Sequence, residues 1–228
     1  MKKYVKAVVF DFDGTLTKGN TDFWRELWIG LGYDVSEGSY YDQLYQDYMS
    51  NKIDYDEWCV LTGDAYKEKC LTYQGMQKLI GKMVLLDGAE ELFKVLNDNK
   101  VSLNIVSGNL VSAIRLRLGE REKYFDNIVG NEIIFDKDGN FERIIPTKFD
   151  NEGKATFVAK LCKEKNISPS DVVFVGNGDN DQWVYKSGCT TICINPTNAD
   201  ENNPIKWTKV YKRLDNLMSL LPEFTIEK

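Results

Sequence analysis

Val8-Val9-Phe10-Asp11-Phe12-Asp13-Gly14-Thr15-Leu16-Thr17 is the stretch that decides the fold. The short apolar run from Ala7 to Phe10 predicts a buried strand. It ends abruptly in two carboxylates spaced i, i+2, and residues two apart in extended chain share one face. Asp11 and Asp13 can therefore both reach the crevice beyond the strand end, where open α/β sheets bind ligands. Gly14 lets the chain turn away at once and bares backbone N–H groups. Two acids, a turn and free amides suit a metal ion and an anionic substrate.

The chain that follows has two characters. Trp24, Leu27, Trp28 and Leu31 recur at helical spacing, and Tyr41, Leu44, Tyr45 and Tyr48 repeat the pattern. Tyr55, Trp58, Thr62 and Ala65 fit a third helix, and Met76, Leu79, Ile80 and Met83 a fourth. Residues 17–84 thus read as a small helical bundle whose aromatics form its core. A bundle inserted directly after a catalytic strand end would also lie over the site as a lid. From Leu85 helix and strand alternate. A helix from Ala89 to Leu96 precedes a strand over Val101, Leu103 and Ile105 that ends at Val106-Ser107-Gly108-Asn109. A helix over Leu110 to Leu118 comes next. Ile133 to Phe135 and Phe141 to Ile145 form a hairpin about the turn Asp138-Gly139. Lys154 to Lys165 is a helix, and Asp171 to Val175 is a strand ending in Gly176-Asn177-Gly178-Asp179-Asn180-Asp181. A helix, a strand (Thr190 to Ile194), a short strand (Lys209 to Tyr211) and a closing helix (Leu214 to Leu221) complete the chain. This alternation predicts a doubly wound, mostly parallel Rossmann-like α/β sheet built from residues 1–16 and 85–228, with 17–84 inserted.

Composition narrows the function. The 228 residues suffice for one sizeable core, or for a core plus a small inserted domain. Their net charge is −6 and they hold no polybasic run, so neither nucleic acid nor an anionic membrane is an expected partner. No apolar stretch reaches the length of a membrane span, and no secretory signal is expected. The five cysteines are scattered, odd in number and without metal-type spacing. They are expected as reduced thiols in a cytoplasmic protein, with Cys189 and Cys193 packed in the core. The chain contains no histidine, which removes Ser-His-Asp and Cys-His catalysis and histidine metal sites. Nucleophile, acid and base must come from carboxylates, lysine, cysteine or hydroxyls.

Three strand ends carry polar chemistry: Asp11/Asp13, Ser107-Gly108 and the 176–181 loop. In a parallel sheet these ends gather on one edge. The order Asp-x-Asp-Gly-Thr, then Ser-Gly, then Lys154, then Gly-Asn-Gly-Asp-Asn-Asp resembles the four motifs of the haloacid-dehalogenase-like phosphatase superfamily. The resemblance covers essentially the whole chain, and the helical insert is similar to the cap of the phosphoserine-phosphatase-like branch. It implies a Mg²⁺-dependent phosphomonoesterase acting on a small phosphorylated metabolite. In the matching roles Asp11 is the nucleophile that forms an aspartyl-phosphate, a carboxylate needing no base at neutral pH. Asp13 is the acid and base, and its main-chain carbonyl is a metal ligand. Ser107 and the Gly108 N–H bind a phosphoryl oxygen together with Gly14 and Thr15 of the first motif. Lys154 offsets the crowded negative charge. Metal ligands are Asp11, Asp13, Asn177 and Asp181. Asp13 also matches the phosphatase pattern within the superfamily, since dehalogenase-type members lack this second acid and transport ATPases carry threonine there.

Two departures stand out. Asn177 occupies the place of the usual metal-binding aspartate, so metal affinity is expected to fall unless Asp179 supplies the charge. The acid and the arginine that grip phosphoserine in its phosphatases align with about Asn20 and Val60, which speaks against phosphoserine as substrate. Trp24 and Trp58 could line a more apolar pocket or simply pack the insert. Two other functions share the motifs: a phosphate- or metabolite-binding module with little turnover, motivated by Asn177, and a phosphotransferase passing the phosphoryl group from Asp11 to another acceptor. The sequence leaves oligomeric state open.

Overall fold

The computed structural model describes residues 4–19 and 22–224. Seven strands form one sheet: β1 (Ala7–Phe10), β2 (Ser102–Leu110), β3 (Asn127–Phe135), β4 (Phe141–Ile145), β5 (Val172–Gly178), β6 (Thr190–Thr197) and β7 (Lys209–Tyr211). Their order is β4-β3-β2-β1-β5-β6-β7. Every pairing is parallel except that of β4, which runs antiparallel to β3 at one edge. This is the expected doubly wound α/β sheet, with β1 at its centre. Alternate residues of β1 serve the two opposite layers. Val8 and Phe10 join Leu92, Phe93 and Leu96 of α5 (Ala89–Asp98) on one face. Ala7 and Val9 join Phe157, Val158 and Leu161 of α7 (Glu152–Lys165) on the other. Both faces are covered, which is why the strand reads as an unbroken apolar run.

Four helices lie between β1 and α5: α1 (Phe23–Gly30), α2 (Tyr40–Met49), α3 (Tyr55–Glu68) and α4 (Tyr73–Ile80). Each starts at a capping side chain, Asp22, Ser39, Asp54 and Thr72, that accepts a backbone N–H of the first turn. Their hub is Trp28, fully buried and edge-on to Tyr33, Tyr40, Tyr41 and Tyr66. The segment's ends meet where Thr17 bridges Leu85 and the Leu86 N–H donates to the Leu16 carbonyl. The helices share one continuous core with the sheet, because Tyr66 of α3 meets Phe141 of β4 at 5.9 Å.

Four expectations are revised. β2 runs on to Leu110, past the expected loop, but its register with β3 shifts between Val106 and Leu110. Ser107, Gly108 and Asn109 thus belong to an irregular strand end. β3 begins at Asn127, well before Ile133, because its first half pairs in parallel with β2 while Asn127, Gly130 and Asn131 interrupt its apolar pattern. The segment after Asp181 is a short 3₁₀ turn, Gln182–Ser187. The closing helix is also 3₁₀ and starts later, Leu217–Glu223, with Pro222 inside it. All five cysteines are free, and Cys189 and Cys193 are buried as expected. No helix among the described residues is long and apolar enough to cross a membrane.

Two substitutions test this packing. Trp28→Ala empties the aromatic hub and is expected to cost about 3–5 kcal/mol in chemical denaturation. At Gly130 an added Cβ would lie 2.5 Å from the Asn109 carbonyl oxygen and 2.9 Å from that of Ser107. Gly130→Ala should therefore lower the melting temperature and displace the β2 end, read as changed amide exchange at residues 107–109.

Candidate active site

The site forms where the C-terminal ends of β1, β2 and β5 meet. The Asp11 N–H donates to the Val175 carbonyl at 2.9 Å, which keeps Asp11 in the ladder as its side chain leaves the sheet. Lys154, in the first turn of α7, has no exposed surface. Its Nζ lies 2.8 Å from Asp11 Oδ1, 2.6 Å from Asp181 Oδ1 and 3.8 Å from Asp150 Oδ1. The other Asp181 oxygen accepts the N–H groups of Asn177 and Gly178, each at 2.9 Å. Asn177 Oδ1 accepts the Thr15 hydroxyl at 3.0 Å. Gly14 turns the chain at φ +69°, and a Cβ there would fall 2.4 Å from Asn177 Nδ2, so glycine is required for both reasons.

Asp13 stands beside Asp11. One of its oxygens accepts Asn109 Nδ2 at 2.8 Å; the other, Oδ1, is buried with no hydrogen-bond partner. Ser107 Oγ accepts the Asn109 N–H at 3.3 Å. The Gly108 carbonyl receives the Trp24 indole N–H at 3.0 Å and Asn131 Nδ2 at 2.6 Å. Asn131 Nδ2 also reaches the Tyr55 hydroxyl, so α1 and α3 are both tied to the β2 end.

The electrostatics follow from one cation among many acids. Burial disfavours the Lys154 charge, but Asp11, Asp181 and Asp150 outweigh it and hold the ammonium above its usual range. Burial pushes Asp11 up to about 6, with Asp181 adding to the rise and Lys154 opposing it. Burial, then Asp11, then Asp22 hold Asp13 well above the carboxylate range, as suits a proton donor.

A cavity of about 660 Å³ opens over these groups. Asp11, Asp13, Gly14, Ser107, Gly108 and Asn177 all line it. Lys154, Thr15 and Asp181 stand behind its wall, where they hold the lining groups. Asp181 was expected to hold a metal, but both of its oxygens are engaged by Lys154 and two amides. Among the described residues no group of three or more His, Cys, Asp or Glu side chains is arranged to bind a metal. What the site does offer a hard cation is oxygen chemistry, since Asp11, Asp13 and Asn177 all line the cavity and carry oxygen donors.

Val60 is 61% exposed and lines no part of the cavity, so its identity carries no information about what the site grips. Asn20 lies outside the described residues. The acid expected to be missing near the first motif stands two residues further on, since Asp22 lines the cavity. Asp179 lines it too, as do both Trp24 and Trp58, each also largely buried against neighbours. Sequence reasoning overlooked Asp22, Asn109 and Asp150. Asp22 was detectable as a helix cap before Phe23-Trp24, and Asp150 as the residue one helical turn before Lys154. Asn109 gave no signal, because its role depends on the irregular end of β2.

A family model for haloacid dehalogenase-like hydrolases matches residues 5–182. A phosphoserine phosphatase of Archaeoglobus fulgidus is 27% identical over 190 residues, 83% of this chain but only 52% of that protein. One of Methanocaldococcus jannaschii is 27% identical over 204 residues, 86% of this chain and 89% of the relative. A solved phosphoserine phosphatase, described as a phospho-aspartyl intermediate analogue, superposes with a TM-score of 0.74 at 24% identity, covering 98% of this chain and 100% of the other. A hydrolase of the same family from Salmonella enterica serovar Typhi gives 0.79 at 18% identity, covering 99% of this chain and 72% of the other.

Replacing Lys154 tests the electrostatic reading. Lys154→Met leaves Asp11 and Asp181 buried and unpaired, and should destabilise the fold by about 3–5 kcal/mol in urea titration. A loss below 1 kcal/mol would mean that the ion cluster contributes no more than a surface pair.

Proposed function

The chain belongs to the haloacid dehalogenase-like hydrolase family, in its phosphoserine-phosphatase-like branch, and we propose that it is a Mg²⁺-dependent phosphomonoesterase acting on a small phosphorylated metabolite through an aspartyl-phosphate on Asp11. The observation that carries this reading is the pairing of the two acids on one strand end. Asp11 is held by Lys154, and Asp13 beside it keeps one buried oxygen unpartnered.

In this mechanism an Asp11 oxygen attacks phosphorus and the ester oxygen departs. Asp13, whose buried carboxyl favours the protonated form, gives that oxygen its proton. The carboxylate left on Asp13 then takes a proton from water as the water attacks the aspartyl-phosphate. Asn109 holds Asp13 in place for both transfers. Ser107 and the Gly108 N–H bind the phosphoryl oxygens, and Lys154 balances the charge gathered at Asp11. Asp11, the Asp13 carbonyl and Asn177 would hold Mg²⁺, which supplies charge neutralisation at the phosphoryl group. Asp181 acts through its partners by positioning Lys154 and the Asn177 backbone. Residues 17–84 serve as a cap whose aromatic side chains close the cavity from above.

Hydrolysis of an aryl phosphate tests the reading. The wild type should turn it over with Mg²⁺ and lose activity on chelation, while Asp11→Asn should fall to background. Asp13→Asn should lose about 10²–10⁴-fold. Asn109→Ala, which frees Asp13, should lose up to about 10²-fold. Asn177→Asp should retain turnover and saturate at lower Mg²⁺. A folded wild type that binds Mg²⁺ yet hydrolyses no monoester would instead favour a phosphate-binding module, the reading that the neutral Asn177 supports.

A further inference from the structure

We propose that the alcohol half of the substrate carries an ammonium group, best a quaternary one, and no carboxylate or second phosphate. This rests on the phosphomonoesterase reading and concerns the outer half of the same cavity. The inner half is committed to the phosphoryl group by Asp11, Asp13, Ser107 and Gly108. The same cavity is also lined by Trp24, Tyr41, Tyr45, Tyr48 and Trp58. Their rings pack in two groups: Trp24 meets Trp58 at 5.1 Å and Tyr48 meets Trp58 at 5.8 Å, while Tyr41 stacks on Tyr45 at 6.3 Å. Among the described residues no lysine or arginine lines the cavity.

Two further acids line the same cavity, neither of them held by Lys154. Asp22 accepts the Trp24 N–H at 3.0 Å as a helix cap, and Asp179 reaches the cavity from the β5 loop. Lys154 is already shared among Asp11, Asp150 and Asp181. Arg25 is felt by Asp22, but it is exposed and outside the cavity. Tyr45 lines the cavity with both acids, and burial, then the charges of Asp179 and Asp22, push its hydroxyl above the ordinary tyrosine value.

Charge and wall chemistry then select the ligand. A carboxylate or second phosphate would enter a chamber without a basic side chain and would face two acids. A cation meets attraction from both carboxylates and from the aromatic ring systems. A quaternary ammonium donates no hydrogen bonds, so aromatic walls satisfy it where a primary ammonium would seek more acceptors. A neutral alcohol of the same shape would gain the apolar contact alone.

The test compares choline phosphate with 3,3-dimethylbutyl phosphate, which has the same shape but no charge, and includes phosphoserine and an aryl phosphate. We expect kcat/KM for choline phosphate to exceed that of its neutral isostere by about tenfold or more, a difference of about 1.4 kcal/mol. Phosphoserine should be the poorer substrate. Asp22→Asn keeps the helix cap and Tyr45→Ala alters a side chain that is 38% exposed; both should bring the ratio toward unity. A ratio of one or less, or a preference for phosphoserine, in an enzyme that hydrolyses the aryl phosphate would overturn the inference and leave the phosphatase reading intact. Failure on the aryl phosphate would count against the phosphatase reading. Tryptophan fluorescence of Asp11→Asn then decides the inference separately. A saturable response to choline phosphate but not to the isostere supports cation recognition, and equal or absent responses overturn it.

Discussion

Lys154 is buried without exposed surface between Asp11, Asp181 and Asp150, and the geometry of the site depends on that placement. An ammonium taken out of water is tolerated only when it is paired and fully hydrogen-bonded. Here the pairing runs across three separate segments of chain. β1 brings Asp11, the start of α7 brings the lysine, and the loop after β5 brings Asp181. The second Asp181 oxygen passes the constraint on by accepting the Asn177 and Gly178 amides. Asn177 is then fixed against Thr15, and the Gly14 turn closes on its side chain. One ion cluster thereby sets the relative position of the first and last motifs. Its three acids outnumber the one cation, so the cluster carries residual negative charge beside the cavity.

A second set of contacts joins the helical insert to this centre. The Gly108 carbonyl accepts the Trp24 indole and Asn131, and Asn131 continues to Tyr55. The β2 end is therefore held from two helices. The same irregular stretch aims Asn109 at Asp13. A regular strand would have paired these residues with β3, and the close passage of Gly130 beneath Ser107 and Asn109 makes the irregularity possible.

Much of this was legible in advance because it is local. The apolar run and paired acids of 7–13, the alternation of elements after Leu85 and the amphipathic spacing of the first four helices each reside in a few consecutive residues. The departures share a cause. β3 was read too short because its first half takes its strand character from pairing with β2, while its own sequence is interrupted by Asn127, Gly130 and Asn131. The last segment has helical spacing from Leu214, but forms only a 3₁₀ helix from Leu217 to Glu223. Val60 matches a gripping position by sequence, yet it is exposed outside the cavity, while Tyr55 and Trp58 of the same helix line it.

The sequence by itself determined the fold class, the order of the strand ends and the residue types able to act, since strand and helix periods and the absence of histidine are properties of the chain alone. Tertiary structure decided which of those residues face the cavity. It turned Asp181 to Lys154 and placed Asn109 on Asp13. It also brought Asp22 and Asp179 into one aromatic chamber with no basic side chain among its described lining residues. The physical reason is that facing and partnership depend on contacts between segments far apart in sequence. A side chain's charge and hydrogen bonds are settled by whatever the fold sets beside it.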